Sequence, residues 1–199
     1  MNTFLRLLPI VLTAPLASLL HAKPFEMGDA NYILLEAENL SYNEAWEFVE
    51  VDSKRVMGTG YLKYIGPVTG KGHGQEIDRE GKLQGNPDNW LVIPVNISKP
   101  GRYRINLRNH HKKKDGDNDI WVHVKGYRLP IQRVGDHAVD TYQWLTWGPE
   151  WVHFDLEKPG VYEFYIAGRS HGFGVDRIAI YNEEATIDMY HRSKKSINE

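Results

Sequence analysis

The sequence predicts an all-β protein, an antiparallel sandwich or barrel built from many short strands. Three observations predict it. Apolar and polar residues alternate along several segments, which is the period of a strand with one buried face. Compact turn sequences separate those segments, Lys99-Pro100-Gly101 and Lys158-Pro159-Gly160 among them. Helical periodicity over ten or more residues is missing, the polar tail 183–199 aside.

The elements follow in chain order. Residues 1–22 read as a secretory signal peptide, with a positive charge at Arg6, an apolar run from Leu7 to Leu20, and Ala22 before the cut. That run is too short to span a membrane, and no later stretch approaches the ~20 apolar residues a span needs. The expected mature protein is secreted or periplasmic. Residues 23–182 read as one domain, with strands over 32–38, 60–65 and 90–97. Then comes 102–108, where Tyr103, Ile105 and Leu107 interleave with Arg102, Arg104, Asn106 and Arg108. Further strands are predicted at 119–125, at 152–156 (Val152, Phe154, Leu156 inward), at 162–166 (Tyr162, Phe164, Ile166) and at 175–181. Residues 66–89 hold six glycines and read as a long loop that is either functional or hides a strand.

Composition narrows the function. The chain's 199 residues can build a core without staples, and the lack of cysteine excludes a disulfide framework and cysteine-ligated metals. With 24 Lys+Arg against 26 Asp+Glu there is no basic excess to suit nucleic acid. Six Trp, 11 Tyr and 6 Phe supply many rings for packing or stacking.

Several motifs carry chemistry on paper. Gly168-Arg169-Ser170-His171-Gly172 matches the nucleophile elbow of serine hydrolases, but that elbow needs a following helix and here a strand follows, so Ser170 is not read as a nucleophile. Asp115, Asp117 and Asp119 resemble the start of an EF-hand loop, yet Ile120 stands where the glycine belongs; a solvated turn is the reading preferred to an ion site. His110-His111-Lys112-Lys113-Lys114 reads as a solvated basic loop, with anion binding as the sharper alternative. Glu36-Ala37-Glu38 would put two carboxylates on one strand face, where a calcium ion could neutralise them; exposed strand-end glutamates are the other reading.

An ordered series then resembles a known group. Leu35-Glu36-Ala37-Glu38, Gly60-Tyr61, Pro100-Gly101-Arg102-Tyr103 through Leu107-Arg108, Trp144-Leu145-Thr146-Trp147 and Gly174-Val175-Asp176-Arg177-Ile178 are similar to carbohydrate-binding modules of families 6 and 35. The likeness runs over roughly 32–182. It implies a galactose-binding-like jelly roll that binds polysaccharide or oligosaccharide and has no catalytic residues. It also implies a structural calcium held by Glu36, Glu38 and Asp176. For the sugar, it implies a stacking ring at Trp144, a facing ring at Tyr61, and polar contacts from the final loop, where this chain has Ser170 and His171 in place of the usual asparagine.

The polar run Asp140-Thr141-Tyr142-Gln143 places Trp144 at the surface, whereas Trp147, Trp121 and Trp90 read as core. Counting alternate strand directions back from 175–181 puts loop 169–174 at one end with 126–146 and 52–60. The same count puts the basic knot and 66–89 at the other end. The expected function is a secreted, non-catalytic module with no nucleic-acid partner and no membrane span, one able to assist a separately secreted enzyme. The rival is a small secreted jelly-roll polysaccharide lyase or glycoside hydrolase.

Overall fold

The computed structural model describes residues 23–52, 54–56, 58–68, 90–114, 116–127 and 131–185. The expected signal peptide, 1–22, most of the glycine-rich segment and the end of the tail lie outside the described residues.

In chain order the strands are β1 (Phe25–Glu26), β2 (Tyr32–Glu36), β3 (Trp46–Glu50), β4 (Gly60–Tyr64), β5 (Trp90–Ile97), β6 (Gly101–His110), β7 (Asp119–Val124), β8 (Gln132–Gly135), β9 (Gln143–Trp144), β10 (Phe154–Leu156), β11 (Gly160–Ala167) and β12 (Gly174–Asn182). One 3-10 turn, Ala37–Asn39, follows β2. The first sheet has the order β1-β5-β11-β7-β8; the second runs β10-β6-β12-β4-β3, with β2 on the far half of β12 and β9 beside β6. All pairs named are antiparallel except β1 with β5.

The alternation works as predicted. Leu91, Ile93, Val95 and Ile97 of β5 are fully buried, and they face Tyr103, Ile105 and Leu107 of β6 and Ile178 and Ile180 of β12 across a single core. In β12 a bulge between Val175 and Arg177 breaks the period, so Val175 and Ile178 both turn inward. Asp176 and Arg177 instead reach partners on the outer face, Arg108 and Glu36.

The register fixes which loops share an end. Gly174 pairs with His110 and with Lys63, Asp119 with Gly135, and Ala167 with both Trp121 and Trp90. Segments 65–68, 111–118, 136–142 and 168–173 therefore converge. Contacts confirm the gathering: Gly172 N–H donates to Tyr64 O (2.8 Å), Asp140 N–H to His111 O (2.8 Å) and Asp136 N–H to Asn118 O (3.0 Å). This corrects the sequence count, which put the basic knot opposite the final loop. The unpredicted strand β8 reverses the parity of everything before it. Segment 51–59 starts from the other end of β4 and crosses the outer face of the second sheet, where Arg55 O accepts from Arg108 Nη2 (2.7 Å).

Other expectations change too. The predicted strand 32–38 stops at Glu36. Trp121 packs with Ile131, Ala167 and Trp90 in a small separate cluster rather than in the main core, and Trp147 is half-buried.

Candidate functional site

On the outer face of the second sheet, at the end where the loops meet, three rings from three segments touch. The His110 ring stacks on Tyr142, with centroids 4.5 Å apart and planes 17° from parallel. Tyr61 lies 5.3 Å from His110 and meets Tyr142 edge-on at 5.9 Å. The local sequence explains each position. In β4, Leu62 and Tyr64 point into the core, so Tyr61 and Lys63 point out. In β6, His110 continues the outward row begun by Arg102 and Arg104. Gly174 lies between Lys63 and His110 in the register, and a Cβ there would meet the Tyr61 ring at 2.7 Å and His110 O at 2.9 Å. Only glycine lets that ring lie flat over the strand.

Burial raises the phenol pKa of Tyr61 and pushes that of Tyr142 up to about 12, so both phenols keep their protons at neutral pH. Burial also lowers the pKa of His110, outweighing the bond its Nε2–H donates to Asp140 Oδ1 (3.2 Å). The same bond holds Asp140, whose carboxylate is exposed, below the usual carboxylate range. The guanidinium carbons of Arg55 and Arg108 lie 5.9 and 5.8 Å from the Tyr142 ring centre. The patch thus offers one half-buried ring, neutral donors, and an exposed acceptor at its rim.

The predicted contact residues fare unevenly. Tyr61 is in the patch but only 5% exposed, beneath Tyr142. Trp144 is 8% exposed, not the open ring expected; it sits directly opposite Arg108 in the register, with its indole N–H buried and unpaired. Ser170 is buried, and its hydroxyl donates to Asp119, which Arg169 also holds, so the serine stiffens the final loop instead of facing a ligand. The segment passes directly into β12, as expected of a chance match to the elbow. His171 is exposed and its Nδ1–H donates to Gly66 O (3.1 Å), tying the final loop to segment 65–68.

Sequence reasoning missed His110, Tyr142 and Asp140. The signal for His110 was the outward alternation of β6, which runs one residue into the supposed basic loop. The solvated turn expected at Asp117 and Asp119 is in fact buried. Asp117 accepts from Lys112 N–H (3.3 Å) and Lys113 N–H (2.9 Å), and Asp119 is taken by Arg169 and Ser170. Asp136 is saturated as well: Gln143 (2.5 Å), Thr146 (3.1 Å) and the amides of His137 (2.6 Å) and Ala138 (3.1 Å) all donate to it. Burial opposes its ionisation, but these bonds together lower its pKa.

Further along the same face, Glu36 and Glu38 converge on Gly58. A Cβ on Gly58 would collide with Glu38 Oε1 and come within 3.6 Å of Glu36 Oε2, and the glycine holds φ +76°. Thr59 N–H donates to Glu38 Oε1 (2.9 Å). Oε2 of each glutamate is buried with no partner. The two carboxylates meet through the 3-10 turn and not through strand alternation. Asp176, the third carboxylate in the expected set, is turned to Arg108, and Glu36 Oε1 to Arg177. Among the described residues no three His, Asp or Glu are grouped to hold a metal ion, and no helix is long and apolar enough to cross a membrane.

No family model matches the sequence, and neither does any curated protein. Solved structures do resemble it. A GH26-CBM35 β-(1,4)-mannanase of Podospora anserina is 14% identical with a TM-score of 0.51, over 76% of this chain and 28% of that one. A family 35 carbohydrate-binding module of Clostridium thermocellum is 16% identical with a TM-score of 0.48, over 75% of this chain and 98% of that one. A carbohydrate-binding module of Cellvibrio mixtus lichenase 5A, in complex with cellotriose, is 18% identical with a TM-score of 0.46, over 75% and 96%. This chain spans only about 28% of the length of the mannanase. The likeness to the mannanase, taken with the two-sheet architecture, shows the fold alone: a β-sandwich of two largely antiparallel sheets.

Proposed function

We propose that this chain is an exported, non-catalytic polysaccharide-binding module. The observation that carries this reading is the ring cluster of Tyr61, His110 and Tyr142 on the loop end of such a sandwich, with Asp140 exposed beside it and His171 exposed on the final loop at the same end. A pyranose has an apolar face of C–H groups and an equator of hydroxyls. The accessible part of Tyr142 takes the face, while Asp140 and His171 exchange hydrogen bonds with the hydroxyls. Covering about 60–80 Å² of ring contributes roughly 1.5–2 kcal/mol, which suits micromolar to millimolar affinity once a few hydrogen bonds are added. A separately secreted carbohydrate-active enzyme would work beside such a module.

The proposal includes a structural calcium ion. Glu36 and Glu38 would hold it, because their two buried, partnerless oxygens are what a hard cation satisfies. Calcium there would supply charge neutralisation and pin segment 51–59 to β2.

The rival reading, a lyase or hydrolase, has one observation in its favour: the Asp140–His110 bond beside two phenols, an arrangement able to move a proton. One experiment separates the two. The purified protein is incubated with a panel of insoluble and gel-immobilised polysaccharides, and both retention and soluble product are measured, with Tyr142→Ala alongside. Retention without product, weakened roughly ten- to thirtyfold in Tyr142→Ala, is the expected result. Sugar released into solution in proportion to time would replace the module with the enzyme.

A further inference from the structure

We infer that the polysaccharide is anionic, bearing carboxylate or sulfate-ester groups. This inference rests on the reading of the ring cluster as a sugar site. Its basis is the end-to-end placement found above: Lys112, Lys113 and Lys114 stand at the same end as the rings, not opposite them.

The lysines are exposed, and their backbone is fixed. The buried Asp117 carboxylate takes the amides of Lys112 and Lys113, and the buried His111 Nδ1–H donates to Lys113 O (2.7 Å). A loop pinned in this way keeps the three exposed lysines together at the ring end, so their charges are presented there rather than on a loose tail. Cations also reach the rings from two other elements. Lys63 stands two residues along β4 from Tyr61, on the same outer face, and Arg55 of the crossing segment lies over Tyr142.

Among the described residues, three acids at this end are already spent. Asp117, Asp119 and Asp136 are buried and taken up by amides, hydroxyls and arginine. Among the described residues of the elements that carry the rings and the crossing segment, the exposed carboxylates include Asp140, bonded to His110, Glu47, paired with Lys63, and Glu50 and Asp52, beside the cations Lys54 and Arg55. A chain whose overall balance is −2 thus turns a positive rim toward its aromatic patch. A repeating anion on a sugar backbone matches that geometry, with pyranose faces on the ring and charges on the lysines.

The test uses pairs of immobilised polysaccharides that differ only in charge: polygalacturonate against its methyl ester, and a sulfated galactan against its desulfated form. Binding of the purified protein is measured at rising NaCl, with polyglutamate and single-stranded DNA as polyanions that are not polysaccharides. Expected is retention on one charged member over its neutral partner, falling about tenfold as salt rises from about 0.05 to about 0.5 M. The variant carrying Lys112→Ser, Lys113→Ser and Lys114→Ser should lose about tenfold in affinity, with its thermal unfolding unchanged. The two pairs tell a carboxylate from a sulfate. Equal binding to both members of each pair, or binding that salt leaves alone, overturns the inference but keeps the module. Equal retention on polyglutamate or DNA overturns it in favour of simple ion exchange. Retention on no polysaccharide at all overturns the parent reading and this one with it.

Discussion

His110 couples ring packing to protonation. Asp140, Lys112, His111, Tyr61 and Tyr142 all face it, and burial dominates, holding its pKa below the ordinary 6.5. Its proton is therefore bound more tightly in the unfolded chain. Stability contributed by the neutral imidazole is complete above about pH 6.5 and is lost as pH falls below that value toward the folded pKa. His123, also lowered by burial, adds in the same direction. Asp136 works in a separate window, because a depressed carboxylate gives stability that is present above its ordinary 3.8 and lost at still lower pH. The unfolding temperature should accordingly drop between pH 7 and pH 5, and less steeply in His110→Gln. Equal slopes in the two proteins would show that His110 is not the buried neutral base described here. This residue also marks a limit of sequence reading. Read as part of a lysine-rich run, His110 looks solvated. Read as the fifth outward residue of β6, it belongs to the sheet.

The strands themselves were legible wherever one face is buried. β5, β6 and β11 alternate because each lines the core, β12 does so on either side of its bulge, and the predicted and observed spans of all four nearly coincide. β8 was not legible. It has four residues and commits only Val134 to the core, so the period-2 signal never repeats. Missing it reversed the end assignment and separated the lysines from the rings. The two-residue β9 was lost for the same reason, and with it the pairing that buries Trp144 opposite Arg108. Where strands approach closely, the sequence carries a different mark, a glycine whose side is filled by a neighbour. Gly174→Ala would drive a methyl group into the Tyr61 ring and His110 O. It should cost about 1–3 kcal/mol in chemical denaturation and weaken polysaccharide binding more than that loss alone explains. A stable, fully binding Gly174→Ala protein would mean that the ring packing over β12 has been misplaced.

At the scale of the molecule, the outer face of the second sheet divides in two along the crossing segment 51–59. The rings and their cationic rim stand on one side; the paired glutamates lie under the segment itself. The proposed calcium links the halves, since Gly58 and Thr59 touch Glu38 while Arg55 reaches Asp140 O (2.7 Å) beside the rings. Removing calcium with EDTA should lower the unfolding temperature, restored by calcium more effectively than by magnesium, and Glu38→Gln should abolish the response. No shift with either ion would leave the glutamates as a plain ion-paired cluster. The overall architecture could be read from strand pattern and motif order because core packing constrains residues one at a time. The site could not, because its rings come from β4, β6 and the segment before β9, and only the folded register joins them.

The most direct measurement of the central claim is a hydrogen-exchange footprint with the polysaccharide that the protein retains. The account predicts slowed amide exchange in 111–114, 136–142 and 168–173, with the opposite end at 98–101 and 157–160 unchanged. Protection confined to that opposite end or to the outer face of the first sheet would contradict it.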